Sequence, residues 1–202
     1  MSKHKFLIDC YGRHHGDQNI DLVTGEEFDF IYDATRKGQN EFELGLFLNQ
    51  AALSGPLYKY PKKRRICLLS ESPANIVYQH IETIRRNFSI VFTHNKELLE
   101  KGPPFTRLEL GTTWLGDSVA KQAYDKKKSL VSFIGSILHG DDHGYSLRKD
   151  VANRCIEDNK IDCFGKGIHE IDSKITGLAD YAFSIAMENM QSDYYFSEKL
   201  ID

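Results

Sequence analysis

The sequence lacks any uninterrupted apolar run of the roughly 20 residues that a membrane-crossing helix requires. The apolar run near the N-terminus, KFLIDC (5–10), is too short for a secretory signal peptide. These absences predict a cytoplasmic chain without a transmembrane segment. Peripheral contact with a membrane surface stays open beside that prediction.

Cysteine is scarce and irregularly spaced. The four cysteines, Cys10, Cys67, Cys155 and Cys163, lie in or beside apolar runs, and no two form a CxxC pair. This spacing argues against a disulfide framework and predicts buried free thiols in a reducing compartment.

An excess of positive charge is also missing. The chain has 26 Lys and Arg against 29 Asp and Glu, a net charge of −3. Nucleic-acid-binding proteins usually carry a basic excess, so we expect no nucleic-acid partner. With 202 residues, 41% of them hydrophobic, the chain can form one large domain or two small ones with real cores.

Short apolar runs alternate with helical patterns along the chain. Strands are predicted at KFLIDC (5–10), FDFIYD (28–33), RRICLLS (64–70), FSIVFTHN (88–95), KKSLVSFIGS (127–136), KIDCFGKG (160–167) and FSIAMEN (183–189). Helices are predicted at EFELGLFLNQAAL (41–53), SPANIVYQHIETIRR (72–86), KELLEKG (96–102) and YSLRKDVANRCIEDN (145–159). This alternation predicts an α/β fold with two Rossmann-like lobes, residues 1–115 and 116–202. The stretch FTRLELGTTWLG (105–116) is predicted to be an irregular or extended connection.

The helical pattern YSLRKDVANRCIEDN has apolar residues at four-residue intervals, at Leu147, Val151 and Cys155. That spacing predicts the buried face of the helix. Arg148 is then expected to point off this face, near the start of a helix that follows a strand. A guanidinium there can bind phosphate oxygens in a bidentate way. Pairing with solvent or with Asp150 is the alternative.

The closing stretch MENMQSDYYFSEKLID places polar and aromatic residues after an apolar strand. Glu188 and Asn189 stand at the end of that strand, where open α/β sheets bind ligands. Ser197 can cap a helix beginning at Glu198, and such a helix start beside Lys199 suits a phosphate. On residue types alone, an ordinary loop and a capped helix with solvated charges are the simpler interpretation.

The longer stretch DYAFSIAMENMQSDYYFSEKLID resembles the donor-binding signature of the family 10 glycosyltransferases, the α1,3/α1,4-fucosyltransferases. The matching residues, in the family's order, are Tyr181, Phe183, Glu188, Asn189, Tyr195, Glu198 and Lys199. Met187 replaces the usual aromatic residue. Upstream, SLVSFIGS with the following Arg148 resembles the family's Ser-Phe strand and arginine helix, and KIDCFGKG resembles its Val-Asp-x-(Phe/Tyr)-Gly segment. Together these elements cover residues 127–202.

The resemblance implies a two-lobe GT-B fold whose second lobe binds a nucleotide sugar, with GDP-fucose as the expected donor. Arg148 and Lys199 would neutralise the diphosphate, and Glu198 would accept hydrogen bonds from the ribose diol. No metal is expected, because positive side chains do its work in this fold class.

The resemblance also implies the remaining contacts and the acceptor. Asn189 and Tyr195 would shape the donor pocket, and Glu188 would support it near the sugar. The acceptor would be a hydroxyl of a glycan or a lipopolysaccharide-type molecule, bound on the side of the N-terminal lobe.

The segment LLSESPANI resembles the family's Glu-(Ser/Asn)-x-x-Asn segment, whose glutamate is the catalytic base. Glu71 follows a predicted strand and precedes a helix for which Ser72 can be the cap and Pro73 the first residue. Inverting sugar transfer needs a base, because the acceptor hydroxyl loses its proton as it attacks. The alternative for Glu71 is ordinary charge complementarity in a first helical turn.

Three other motifs favour plainer interpretations. HGDDHG (139–144) offers metal-binding side chains, but crowded in one loop they suit a polar connection better than a closed metal site. YKYPKKRR (58–65) could touch an anionic glycan or a membrane, although a solvated loop before a strand is simpler. RHHGD (13–17) follows the first strand and is assigned to the acceptor side.

A second class of function competes with catalysis. Family members continue beyond the Glu-Lys-Leu element with a helix and a strand, so the resemblance implies a C-terminally truncated, incomplete second lobe. The chain would then be a catalytically inactive fragment or a GDP-sugar/glycan-binding module. A homo-oligomer in which a second copy completes the sheet is a further expectation, since an unfinished sheet edge invites pairing.

Overall fold

The computed structural model describes residues 6–12, 22–24, 27–32, 41–73, 75–109, 127–138, 144–158, 160–188 and 190–200. The chain divides into two compact units, Met1–Glu109 and Leu110–Asp202. Each unit is α/β and contains a sheet of parallel strands, an architecture compatible with Rossmann-like lobes. In the described ranges no helix has the length and apolar character needed to cross a bilayer.

The first unit contains a seven-stranded sheet. Its strands are β1 (Phe6–Tyr11), β2 (Leu22–Thr24), β3 (Phe28–Tyr32), β4 (Leu44–Leu48), β5 (Arg65–Leu69), β6 (Ile90–Thr93) and β7 (Phe105–Arg107). Their order is β2-β3-β1-β4-β5-β6-β7, and only β2 runs antiparallel to its neighbour. The six parallel strands therefore end along one edge of the sheet, the edge where such sheets bind ligands.

Helices and turns cover this sheet. The α-helices are α1 (Ile81–Asn87) and α2 (Lys96–Glu100). The 3-10 turns are Asn49–Leu53, Gly55–Lys59, Lys62–Arg64 and Ile76–His80. The ring of Phe47 lies at the centre of the core, stacked on Tyr11 at 4.7 Å and edge-on to Phe88 at 5.6 Å between ring centroids. Aromatic packing of this kind joins β1 and β4 to the chain that follows α1.

The second unit contains a three-stranded parallel sheet with the order β10-β8-β9. Its strands are β8 (Ser129–Ile134), β9 (Asp162–Phe164) and β10 (Tyr181–Ile185). Its α-helix is α3 (Tyr145–Asp158), and its 3-10 turns are Lys174–Gly177 and Glu198–Leu200. Among the described residues of this unit, the buried hydrophobic ones are Phe133, Ala152, Cys155 and Phe164. As predicted, the cysteines of both units are free thiols, and all are buried except the half-buried Cys163.

The helix predicted at residues 41–53 is wrong. This segment forms β4 and the 3-10 turn Asn49–Leu53. The Tyr60 ring packs directly against Gly45 in β4. A Cβ added at Gly45 would lie only 2.7 Å from the Cδ2 atom of that ring, so the contact needs glycine. A short, continuously apolar run fits a buried strand as well as a helix, so periodicity alone could not separate them.

The helix predicted at residues 72–86 begins later than expected. Asn75 is the cap, because its side chain accepts a hydrogen bond from the N–H of Val77 at 3.1 Å. The chain then makes the 3-10 turn Ile76–His80 and continues into α1. Ser72 and Pro73 therefore lie outside the helix.

Three strands also differ from the predictions. β2 was not predicted, and β7 gives the start of the stretch expected to be an irregular or extended connection a definite partner strand. β10 begins at Tyr181 and ends at Ile185, so Glu188 lies three residues beyond the strand and not at its carboxyl end. Pairing with a neighbouring strand determines where such short strands form, and the local sequence is a poor guide to that pairing.

Candidate functional site

Glu71 follows β5 at the carboxyl-terminal edge of the first sheet. Asn49, just after β4, holds the main chain there. Its side-chain oxygen accepts hydrogen bonds from the N–H groups of Ser70 at 2.9 Å and Glu71 at 3.2 Å. Its amide nitrogen donates to the Ser70 hydroxyl at 2.9 Å. The loop that carries Glu71 is therefore fastened to the end of the neighbouring strand.

The carbonyl of Glu71 is held from the other side. The Tyr78 hydroxyl donates to it at 3.0 Å, and Nε2 of His94, which follows β6, lies 3.1 Å away. Because a carbonyl only accepts hydrogen bonds, Nε2 carries the hydrogen. Burial lowers the pKa of His94 and outweighs the hydrogen bonds to the Glu71 and Ser70 backbone, which raise it. The imidazole is thus a neutral donor near neutral pH.

Asn49 adopts a conformation that few side chains favour. Its φ is +48°, in the left-handed region where asparagine is tolerated better than most residues. This conformation turns the chain at the end of β4, where the Asn49 amide bonds to the Ser70–Glu71 loop. Backbone strain of this kind persists where the surrounding contacts hold it, and it clusters at functional sites.

The main chain of Glu71 is held by its neighbours, but among the described residues its carboxylate is not. Its side chain is half-buried, and in the described part of the chain no hydrogen-bond or ion-pair partner contacts the carboxylate. Because Asn75 caps the next helix, Glu71 lies outside the first helical turn. The interpretation of Glu71 as first-turn charge complementarity therefore does not fit this loop.

Arg148 in the second unit lies on the buried face of α3, with 5% of its surface exposed, whereas Leu147 is 59% exposed. The prediction that Arg148 points off the buried face is wrong, because α3 buries the stripe of Arg148, Ala152 and Cys155. Gly135, after β8, leaves room for the arginine. A Cβ at that position would lie 3.2 Å from the Arg148 Cδ atom.

The guanidinium of Arg148 has few partners. Its Nη2 donates to the carbonyl of Met187 at 3.0 Å, and its carbon lies 5.3 Å above the Tyr145 ring. Its Nε is buried without a hydrogen-bond partner. Among the residues that the structure describes, no carboxylate forms an ion pair with it. A buried cation with an unused donor is a favourable place for an anion.

Glu188, Ser197 and Lys199 form a connected cluster after β10. Glu188 accepts hydrogen bonds from the N–H of Ser197 at 2.7 Å and from its hydroxyl at 2.8 and 2.9 Å. The ammonium of Lys199 donates to the Ser197 hydroxyl at 2.9 Å and lies 3.9 Å from the Glu188 carboxylate. The predicted cap at Ser197 is present in a weak form, since the Lys199 N–H lies 3.4 Å from its hydroxyl, but the helix is a single 3-10 turn.

Glu198 extends this cluster to Lys174. Its carboxylate lies 2.6 Å from the Lys174 ammonium and 3.5 Å from that of Lys199, and only 11% of the Glu198 side chain is exposed. Burial raises the pKa of Glu198, but the hydrogen bond from Lys174 and the charges of Lys199 and Lys174 outweigh it, so the pKa is lowered overall. Two carboxylates and two ammonium groups thus neutralise each other in this cluster. Arg148, in contrast, has no carboxylate partner among the described residues.

The other predicted donor residues are placed only in part. Tyr195 is half-buried in the loop between β10 and the Glu198 turn. Asn189 lies outside the described residues. Tyr181 opens β10 and donates its hydroxyl to Asp162 at 2.9 Å; burial, followed by this hydrogen bond, raises the Tyr181 pKa to about 12. Phe183 of the signature is more than half exposed.

The HGDDHG motif offers possible metal ligands, but the sequence favours a polar connection there. In the ranges that the structure describes, no three His, Cys, Asp or Glu side chains are grouped so as to hold a metal ion. Residues 139–143 of the HGDDHG motif and the RHHGD motif (13–17) lie outside those ranges.

Sequence reasoning missed the residues that position the predicted ones. Asn49 was assigned to a helix, and His94 to the end of a strand without a role. Lys174 was part of an undistinguished turn. A pointer existed for Asn49 and His94, because both directly follow parallel strands next to β5. No local pattern marks Lys174 as the partner of Glu198, which lies 24 residues away.

A scan against models of protein families gives no match, and a search of curated proteins also gives none.

Proposed function

We propose that the protein is a glycosyltransferase-like protein of GT-B type that uses a GDP-sugar and resembles the inverting fucosyltransferases. In this proposal fucose, or the sugar of a related GDP donor, passes to the hydroxyl of a glycan. The observation that carries the proposal is the buried guanidinium of Arg148, which has no carboxylate partner among the described residues.

The burial of Arg148 supports an anionic ligand. Removing a cation from water is unfavourable unless an opposite charge or several hydrogen bonds replace the lost hydration. The Met187 carbonyl and the Tyr145 ring supply only part of that replacement. A diphosphate would supply the rest, because its oxygens match the planar fork of a guanidinium.

The cluster after β10 supports the same assignment less directly. Lys199 is positioned by Ser197, and Glu198 is kept ionised by Lys174 and Lys199. In the proposal Lys199 contributes a second positive charge to the diphosphate. The ionised Glu198 accepts hydrogen bonds from the ribose diol, Glu188 supports the cluster, and Asn189 and Tyr195 shape the pocket.

Glu71 is the proposed base. The acceptor oxygen attacks the anomeric carbon, the bond from that carbon to the diphosphate breaks with inversion, and GDP leaves with the bonding electron pair. The hydroxyl proton passes to the Glu71 carboxylate, which the described residues leave unpaired. Fixed cations stabilise the charge that develops on the leaving diphosphate and so lower the barrier.

A non-catalytic GDP-sugar-binding module is the second candidate. It is favoured by the charge balance around Lys199, whose ammonium already lies 3.9 Å from Glu188 and 3.5 Å from Glu198. With Lys199 so engaged, Arg148 alone would hold the diphosphate. That arrangement suits binding better than departure of a charged leaving group.

Calorimetry with GDP, GMP and guanosine tests the proposal. We expect GDP to bind more tightly than guanosine, and Arg148→Ala to weaken GDP by roughly tenfold to a hundredfold, the range for a hydrogen bond to a charged group. Lys149→Ala is the matched control, because Lys149 is its exposed neighbour. Equal affinities for GDP and guanosine, or an Arg148→Ala variant that folds and binds GDP normally, would contradict the proposal. Sugar transfer from GDP-fucose then separates the enzyme from the binding module.

A further inference from the structure

A basic surface lies at the edge of the first sheet opposite to Glu71. The 3-10 turn Lys62–Arg64 leads into β5, and the last turn of α1, with Arg85 and Arg86, leads into β6. Since β5 and β6 are parallel neighbours, both segments reach the amino-terminal edge of the sheet. We call Lys62, Lys63, Arg64, Arg85 and Arg86 the basic edge.

Hydrogen bonds join the two halves of the basic edge. The Ser89 hydroxyl donates to the carbonyls of Arg65 at 3.0 Å and Lys63 at 3.4 Å. The Arg65 guanidinium donates to the carbonyl of Asn87 at 3.3 Å and to that of Tyr60 at 2.7 Å. These contacts fix the main chain, so the cationic side chains project from one ordered surface.

The charge of the basic edge is poorly compensated. From residue 44 to residue 70 the chain has five Lys and Arg and no Asp or Glu. In the described ranges no carboxylate forms an ion pair with the exposed Lys62, Lys63 or Arg64, and the one recorded pair at α1 is Arg85 with Glu82 at 3.9 Å. A concentrated positive patch therefore exists on a chain whose net charge is −3.

Exposed apolar groups accompany these cations. Tyr58 is 71% exposed and lies beneath the Arg65 guanidinium, 5.4 Å from ring centroid to the guanidinium carbon. Ile90, the first residue of β6, is also exposed. Tyrosine prefers the boundary between lipid and water, and Lys and Arg beside it can reach anionic headgroups.

We infer that the basic edge is a docking surface for an anionic lipid bilayer. Lys and Arg clusters near a membrane attract its negative surface within about a Debye length, roughly 10 Å at ordinary salt. Tyr58 and Ile90 enter the headgroup region. A nucleic acid would stack a base on Tyr58 but would offer no apolar region for the aliphatic Ile90. Docking through the amino-terminal edge leaves the Glu71 edge of the same sheet facing away from the bilayer.

Vesicle co-sedimentation of the full chain tests this inference. The probes are phosphatidylcholine vesicles with and without phosphatidylglycerol, at low and high salt. We expect binding only with phosphatidylglycerol and weaker binding at high salt. The triple variant Lys62→Gln/Lys63→Gln/Arg64→Gln should lower the partition coefficient on the order of a hundredfold, from about tenfold or less for each cation.

Two controls keep the test decisive. Arg154→Gln/Lys160→Gln/Lys166→Gln removes three exposed cations from the second unit, with the same change in net charge, and should bind as wild type does. Lys62→Arg/Lys63→Arg/Arg64→Lys keeps the charge and should also bind. Tyr58→Ser should weaken binding at high salt as well as at low salt, because the apolar part is not screened.

Several outcomes would overturn the inference. Equal loss in the two Gln triples would show an effect of net charge rather than of a surface. Absence of vesicle binding, together with an oligonucleotide affinity that the first triple abolishes, would assign the patch to nucleic acid. Circular dichroism shows whether the first triple folds. If it does not fold, two other results would contradict docking: wild type that binds equally with and without phosphatidylglycerol, or Tyr58→Ser that binds like wild type at both salt concentrations.

Discussion

The loop after β5 and the loop after β10 present two ways of holding charged side chains beyond a parallel strand. In the first, uncharged groups of Asn49, Tyr78 and His94 bond to the main chain at Glu71. In the second, the side chains of Glu188, Ser197 and Lys199 bond to one another. The first loop therefore has a fixed main chain and a Glu71 carboxylate without a partner among the described residues. In the second loop the charged side chains bond to one another and stabilise the loop itself.

This difference has a consequence for ligand binding. A side chain that has a fixed backbone and no partner to give up loses little conformational entropy when it binds a ligand, which is the benefit of preorganisation. A group already paired must exchange partners, so its net contribution is smaller. Arg148 belongs with the first kind despite its place in the second unit, because its burial is not matched by a carboxylate in the described residues.

Glu71→Gln gives the largest expected effect and tests the role of the Glu71 carboxylate. The initial rate of sugar transfer from GDP-fucose should fall by about 10²–10⁴-fold, because glutamine cannot take the acceptor proton. Thermal stability should be unchanged, since no described residue bonds to this carboxylate. Glu82→Gln, an exposed glutamate of α1, is the control. A rate unaffected by Glu71→Gln would remove Glu71 from catalysis, and absence of transfer by wild type would favour the binding module.

Asn49→Ala tests the support of that loop. We expect the free energy of unfolding to fall by about 2–3 kcal/mol, because three hydrogen bonds to Ser70 and Glu71 are lost and alanine tolerates a positive φ poorly. Urea denaturation measures the change. Gln50→Ala, at an exposed neighbouring position, should alter stability by less than about 0.5 kcal/mol. Equal effects of the two substitutions would show that the Asn49 contacts contribute little.

Lys174→Met tests the ionic loop through its pH dependence. Because the folded pKa of Glu198 lies below its ordinary 4.5, ionised Glu198 stabilises the fold above that pH, and this stability is lost as pH falls through the lowered pKa. Lys174→Met should cost about 2 kcal/mol at neutral pH and less in acid, where Glu198 is protonated.

The exposed ion pair of Lys128 and Asp180, at 2.9 Å, is the control for this experiment. Lys128→Met should change stability by less than about 0.5 kcal/mol at any pH, since an exposed pair contributes little. Urea denaturation between neutral and acidic pH measures both variants. A pH-independent loss in Lys174→Met would mean that lost packing, not the Glu198 charge, explains the effect.

Lys199→Ala gives the smallest expected effect. GDP affinity should fall by about fivefold to tenfold, less than for Arg148→Ala, because Lys199 must leave Glu188 and Glu198 to meet a phosphate. Calorimetry of both variants under one set of conditions gives the ranking. A larger loss in Lys199→Ala than in Arg148→Ala would contradict the expectation that the cation without a described carboxylate partner contributes more than the cation paired with two carboxylates.

Much of the fold could be predicted because strong local patterns mark buried strands and long helices. β1, β3, β5, β6, β8 and β9 appear within a few residues of their predicted positions, as does α3. β4 was mistaken for a helix because LGLFL is apolar throughout and carries no clear period. β2 and β7, each three residues long, depend on pairing with a neighbour.

The sequence proposes the residues of the candidate site, but it does not show their contacts. Arg148, Glu188, Glu198 and Lys199 were selected by type and order, and the structure places the last three in one cluster. The environment of Arg148 was predicted wrongly, because Leu147 was expected to be buried in its place. A helical period shows which residues share a face, while the packing partner decides which face is buried.

The sequence by itself determined the α/β class, most strand positions and the free thiols, and it supplied the residue types from which a nucleotide-sugar site is proposed. These follow from properties that act over a few residues, such as apolar run length and side-chain chemistry. Only the tertiary structure decided that Asn49 and His94 hold Glu71, that Lys174 pairs with Glu198, and that Arg148 is buried without a described carboxylate. The partners in these contacts lie 22 to 24 residues apart or depend on which face of α3 meets the sheet, so packing rather than local pattern brings them together.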